Sequence, residues 1–194
     1  MIFFSFFCHI IFYRFNNQFI SSKMNLILVG YMASGKSTIG VELAKMMNFQ
    51  FVDLDRFIEK NENLTVSEIF KTKGELHFRK LEQSYLKDLT SKCDKTIISL
   101  GGGTPCFYDT MIWLNKLDNV KTIYLKASLD ILTDRLFQDK TRPLIEHLNA
   151  KEELKDFIAK HIFERSFFYN QADIVVNTTR SIEETLQNII ISLS

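Results

Sequence analysis

Short apolar runs recur along the chain, separated by longer stretches in which apolar positions return every three or four residues. "NLILVG" (25–30) is a continuous apolar run closing on glycine, the pattern of a strand buried on both faces. "KSTIGVELAKMM" (36–47) then places Ile39, Leu43 and Met46/Met47 on one face of a helix. "FQFVDLD" (49–55) predicts a second strand ending in Asp53 and Asp55, and "TVSEIF" opens a helix with Thr65 and Glu68 at capping-box spacing. "KTIISL" (95–100) predicts a third strand, stopped by Gly101, Gly102 and Gly103. "VKTIYLK" (120–126) and "ADIVVN" (172–177) predict a fourth and a fifth, and Ser181 with Glu184 marks the start of the last helix. Strands that alternate with helices predict an α/β fold: a five-stranded parallel sheet covered on both faces, with ligands at the carboxyl ends of the strands.

Composition narrows this picture without redirecting it. The 194 residues suit one domain, and 46% hydrophobic with 24% charged residues is ordinary globular content. Lys+Arg 24 against Asp+Glu 23 leaves a net charge of +1, so no overall field recruits nucleic acid or an acidic membrane. Cys8, Cys93 and Cys106 form no C-x-x-C pair and read as free thiols of a reducing compartment. Residues 1–23 are rich in Phe and Ile and contain no acidic residue. Their apolar part is shorter than the roughly 20 residues a bilayer span requires, and no clear signal-peptide features are present. The expectation is a non-native or disordered N-terminal extension, with the domain proper at 24–194.

Chemistry concentrates after the first strand. "GYMASGKST" (30–38) fits G-x-x-x-x-G-K-[ST] at every fixed position. Gly30, Ala33, Ser34, Gly35, Lys36, Ser37 and Thr38 are therefore the expected phosphate cradle: backbone N–H groups turn inward and the following helix offers its N-terminus. Lys36 supplies a point charge to the β/γ-phosphates of ATP and the Ser37 hydroxyl a ligand for Mg²⁺. Such a loop leaves open whether water, a protein or a small molecule receives the phosphoryl group. Asp53 and Asp55, two apart, would share one face of a strand. One of them could cap the next helix; beside Mg·ATP, one could hold the metal through water and the other orient an attacking hydroxyl.

An acceptor is suggested further along. Arg79 in "GELHFRKLE" (74–82) has the spacing of an ordinary solvated helix position, but "SLGGGTP" weakens that reading. Consecutive glycines after a strand suit close backbone approach to a ligand, and an arginine can grip a carboxylate in a bidentate fork. Arg142 in "QDKTRPL" (138–144) is either a plain loop charge or a cation that closes over the γ-phosphate and excludes water. The four histidines, His9, His77, His147 and His161, form no catalytic pattern.

Taken in order, "GYMASGKST", "FVDLD", "GELHFRKLE", "SLGGGTP", "RPL" and "ERSFFYNQAD" resemble the shikimate kinase family over residues 24–192. The resemblance implies a three-layer αβα P-loop kinase fold with a mobile lid, and ATP-dependent phosphorylation of the 3-hydroxyl of shikimate on the route to chorismate. It also implies roles for particular residues. Lys36, Asp55 and Arg142 form the catalytic set, Ser37 and Asp53 attend the metal, and Arg142 reaches ATP from the lid. Arg135 and Arg180 bracket adenine, while Arg79 and Arg165 bind the shikimate carboxylate over the platform of Gly101, Gly102 and Gly103. Phe78 and Phe57 wall the ring. The chain departs from the family where "YNQAD" has Asn170 and Gln171 instead of an acidic residue. A cytoplasmic monomer without nucleic-acid or stable membrane partners is the resulting expectation. The alternatives are a related kinase of another small hydroxylated acid such as gluconate, which would not need the arginine pair, and a P-loop nucleotide switch.

Overall fold

The computed structural model describes residues 23–139 and 144–193. Five strands form one sheet: β1 (Asn25–Val29), β2 (Gln50–Asp53), β3 (Thr96–Ser99), β4 (Val120–Lys126) and β5 (Ile174–Asn177). Their order is β2-β3-β1-β4-β5, and every pairing is parallel. The helices are α1 (Lys36–Met47), α2 (Leu54–Glu62), α3 (Val66–Lys73), α4 (Glu75–Lys92), α5 (Thr110–Leu114), α6 (Leu129–Gln138), α7 (Lys151–Tyr169) and α8 (Ile182–Leu193). A 3₁₀ turn spans Thr104–Cys106.

Alternation along β1 divides the core between the two faces of the sheet. Leu26 and Leu28 pack with Ile39, Leu43 and Met47 of α1 and with Leu186 and Ile189 of α8. Ile27 and Val29 face the other way, onto residues of α2 to α7 that include Leu54, Ile69, Leu86, Leu132 and Ile158. All five β1 residues are buried, as a central strand covered on both faces requires. The expected three-layer αβα arrangement is therefore present. No helix of the described residues is long and apolar enough to cross a membrane.

Strand positions agree with the sequence pattern to within two residues, and the second strand shows why one of them ends early. β2 stops at Asp53, whose side chain accepts from the Arg56 N–H at 3.3 Å as the N-cap of α2. Asp55 consequently lies in the first helical turn and not on a strand face beside Asp53. The capping reading is thus correct for Asp53, whose extended backbone closes the strand because the residue after an N-cap is already helical. At α3 the reciprocal Thr65–Glu68 capping box forms as expected.

Parallel pairing sets three strand ends side by side. Leu28 of β1 pairs with Ser99 of β3, and Ser99 pairs with Asp53 of β2. The loop after β1, the glycines after β3 and the acidic pair after β2 thus open on the same edge. Asn25 secures the opposite end: its amide donates to the Cys93 carbonyl at 2.7 Å and accepts from the Thr96 N–H at 3.0 Å, fully buried. Asn25→Ala orphans both backbone groups, each costing about 1–3 kcal/mol. Urea denaturation is expected to show a lower midpoint with unchanged slope; an unaltered midpoint would show that the clamp contributes nothing.

Candidate active site

A cleft of about 850 Å³ runs along the carboxyl edge of the sheet. Its lining includes Ala33 to Thr38, Asp53, Asp55, Gly101, Gly102, Arg135 and Arg180. The P-loop leaves β1 at Gly30 and enters α1 through Gly35, whose φ of 98° lies in the region where a side chain would be strained. Lys36 curls back over the loop, its ammonium donating to the Gly30 carbonyl at 2.8 Å and the Tyr31 carbonyl at 3.0 Å. Arg135, from α6, donates to the Ala33 carbonyl at 2.8 Å and so borders the same loop. Arg180 lies across the cleft beside Glu184, 3.8 Å away.

Asp53 serves two neighbours. One oxygen caps α2; the other accepts from the Ser37 hydroxyl at 3.1 Å. A hydroxyl and a carboxylate side by side at the phosphate loop suit Mg²⁺, which takes one or two protein oxygens and completes its shell with phosphates and water. Among the described residues no group of three or more His, Cys, Asp or Glu could hold a metal alone.

Asp55 sits where burial raises its pKa to about 6. Desolvation is the main cause, the neighbouring charges of Glu82 and Asp53 add to it, and Lys36 and Arg79 pull the other way. A carboxylate so placed is a stronger base than an exposed one yet stays ionised at neutral pH.

Beyond Gly101 the structure turns to Arg79. Its side chain is only 12% exposed, which overturns the ordinary reading of a solvated helix position. Nη1 donates to Glu82 at 2.6 Å, while Nε and Nη2 donate to Glu75 at 3.3 and 3.1 Å. Glu82 is itself buried, at 2% exposure, and accepts a second hydrogen bond from the Thr104 hydroxyl. Burial lifts the Glu82 carboxyl upward, and Arg79 and Thr104 offset part of that rise. Two of the three glycines are explained here. A Cβ on Gly101 would stand 2.9 Å from Asp55 Oδ1, and one on Gly103 would stand 2.7 Å from Arg79 Nη2. Gly102 offers its carbonyl to the Tyr169 hydroxyl at 2.6 Å, tying the end of α7 to the same turn.

Arg165 of α7 donates to the His161 carbonyl at 3.2 Å. Burial raises the pKa of the Cys106 thiol, and the charges of Arg165 and Arg79 offset part of that rise. Phe78 lies outside the cleft lining and is almost fully buried, tilted against Phe70 at 4.8 Å with the Arg79 guanidinium 5.5 Å from its ring. As placed it supports the arginine. Phe57 packs edge-on to Tyr85 at 5.6 Å. Arg142 and the extension at 1–22 lie outside the described residues.

Sequence reading missed Glu82, Thr104 and Tyr169. Glu82 did carry a signal: it interrupts the stripe of Phe78, Leu86 and Leu89 that α4 buries, where a charge must find a partner. The contacts of Thr104 and Tyr169 cross 22 and 67 residues and leave no local trace.

The family described as shikimate kinase matches residues 32–194. The chain belongs to the shikimate kinase family. It is 47% identical over 167 residues to the shikimate kinase of Flavobacterium johnsoniae, a match covering 85% of this chain and 96% of that one. To the shikimate kinase of Parabacteroides distasonis it is 40% identical, over 82% of this chain and 91% of the relative. The crystal structure of shikimate kinase from Bacteroides thetaiotaomicron superposes with a TM-score of 0.77 at 36% identity, covering 86% of this chain and 96% of that one. Shikimate kinase from Acinetobacter baumannii in complex with shikimate gives 0.76 at 28% identity, over 90% and 94% of the two chains. A gluconokinase from Sinorhizobium meliloti, 11% identical with a TM-score of 0.51 over 89% and 92% of the chains, shares the fold alone.

The elevated Asp55 pKa has a consequence for stability. With the folded value near 6 and the unfolded value at 3.8, its contribution is fully present below 3.8 and lost as pH rises through about 6. Asp55→Asn is therefore expected to raise the thermal midpoint at pH 8 relative to the parent chain, with the advantage fading toward pH 4. A midpoint difference independent of pH would show that Asp55 titrates normally.

Proposed function

We propose that this chain transfers the γ-phosphoryl group of ATP to the 3-hydroxyl of shikimate with the residues of the cleft just described. The observation that carries the residue assignment is the adjacency of a buried carboxylate to two distinct binding surfaces. Asp55 faces the P-loop on one side and, across Gly101, the Arg79–Glu82 pair on the other.

Lys36 and the P-loop N–H groups hold the β- and γ-phosphates, with Arg135 and Arg180 at the nucleoside end. Ser37 and Asp53 hold Mg²⁺, which when bound neutralises charge on the transferring phosphates. Arg79 and Arg165 hold the acceptor's carboxylate, and the glycine turn lets its ring lie close to the backbone. Asp55 accepts a hydrogen bond from the 3-hydroxyl and takes its proton as the oxygen bonds to the γ-phosphorus and the bond to the β–γ bridging oxygen breaks, releasing ADP. Catalysis of this kind rests on positioning and on charge placed in advance. On sequence grounds Arg142 adds a cation over the γ-phosphate. A cytoplasmic monomer, with the domain at 24–194, completes the proposal.

Two measurements test it. ADP release is expected to depend on added shikimate, with gluconate inactive; equal release without an acceptor would favour a nucleotide switch instead. Arg79→Ala is expected to raise the shikimate KM while leaving the ATP KM in place, the loss being about 2–5 kcal/mol for a buried charge-assisted contact. An unchanged shikimate KM would remove Arg79 from acceptor binding.

A further inference from the structure

Carboxylates hold Arg79 along its edges, and its guanidinium also lies over an aromatic ring with no part in the chemistry above. The guanidinium carbon lies 4.4 Å from the centroid of Phe107, closer than to Phe78 at 5.5 Å or Phe70 at 5.8 Å. The Phe107 backbone is fixed from both directions. Its N–H donates to the Thr104 carbonyl at 3.4 Å, and its own carbonyl accepts from the Thr110 N–H at 3.1 Å and the Thr110 hydroxyl at 2.6 Å. The segment that follows the triple glycine therefore reaches Arg79 twice: through Thr104, which anchors Glu82, and through the Phe107 ring.

All five N–H groups of a guanidinium lie in its plane. Glu75 takes Nε and one Nη2 donor and Glu82 takes one Nη1 donor, so these partners constrain the edges. They leave the tilt of the plane about those edges less defined. A ring lying over the face is attracted by the cation, excludes water from that face and fixes the tilt. Bidentate recognition of a carboxylate requires the acid and the guanidinium to be nearly coplanar.

We propose that Phe107 is a positioning residue that sets the plane of the Arg79 guanidinium and thereby the plane in which the acceptor's carboxylate docks. This rests on the reading of Arg79 as the carboxylate receptor. Phe107, like Arg79, lies outside the lining of the nucleotide cleft.

The full-length chain and its variants are assayed with shikimate and ATP varied separately. Phe107→Leu keeps the apolar bulk and removes the π face. It is expected to raise the shikimate KM by about three- to thirtyfold, the span of a partly buried cation–π contact. The ATP KM and kcat are expected to stay unchanged, and Phe107→Tyr to restore the shikimate KM. In an Arg79→Lys background, where no planar fork remains, Phe107→Leu is expected to add nothing further. Arg79→Ala separates the two readings. If it leaves the shikimate KM unchanged, the receptor reading fails and the Phe107 role falls with it. If it raises the shikimate KM while Phe107→Leu does not, only the Phe107 role is overturned. A Phe107→Leu variant that raises both KM values and lowers the thermal midpoint, or a Phe107→Tyr variant no better than Leu, assigns the ring to folding and also overturns it.

Discussion

Glu82 is a carboxylate on the core-facing stripe of a long helix, and the turn after β3 is organised around making that placement tolerable. Burying an unpaired carboxylate costs several kcal/mol, so its partners are obligatory. Arg79, three residues earlier on α4, supplies the counter-charge, and the Thr104 hydroxyl supplies the second hydrogen bond from the turn after β3. Helix and turn are thereby drawn together until only glycine fits between them at 101 and 103. Burial raises the pKa of Asp55, and the same negative charge adds to that rise. One buried group thus orients the arginine, fixes the glycine turn and reaches Asp55. A pair of this kind need not add to global stability, because desolvation offsets much of its attraction; what it supplies here is a defined geometry.

The donor end works on a different principle. There the backbone does the binding, through a loop whose shape is set by glycine at 30 and 35 and whose lysine is held against two loop carbonyls. Asp53 connects the ends, one oxygen capping α2 and the other reaching Ser37. Because α2 starts at that cap, Asp55 is delivered to the cleft by the first helical turn. The parallel sheet makes the meeting possible by stacking the ends of β1, β3 and β2 in register. Only then does the P-loop share a cleft with Asp55 and the glycine turn.

Much of this was legible in the sequence. Buried parallel strands announce themselves as short runs dominated by apolar and β-branched residues, so "NLILV" and "VKTIYLK" could be placed almost to the residue. The P-loop and the capping box at Thr65 are local patterns whose physics is complete within a few residues. Asp55 was harder, because "FVDLD" reads as continuous strand until the cap at Asp53 competes with the ladder and wins. Phe107 and Tyr169 left no trace, since each acts on a group brought near only by the tertiary fold. Glu82 stands between these cases: its spacing from Phe78 and Leu86 marks a charge on an apolar stripe, but its partner on the 3₁₀ turn depends on how β3 and α4 meet.

Recognition of the acceptor by its negative charge, at Arg79, is the claim on which the rest of the site depends. It is tested most directly by comparing equilibrium binding of shikimate and of its neutral carboxamide, which keeps the ring and hydroxyls but loses the charge and one acceptor oxygen. Loss of a charge-assisted hydrogen bond of about 1.5–3 kcal/mol corresponds to roughly ten- to a hundredfold weaker binding of the amide. That difference is expected in the parent chain and should largely vanish in Arg79→Ala. Equal affinity of the parent chain for acid and amide would contradict it.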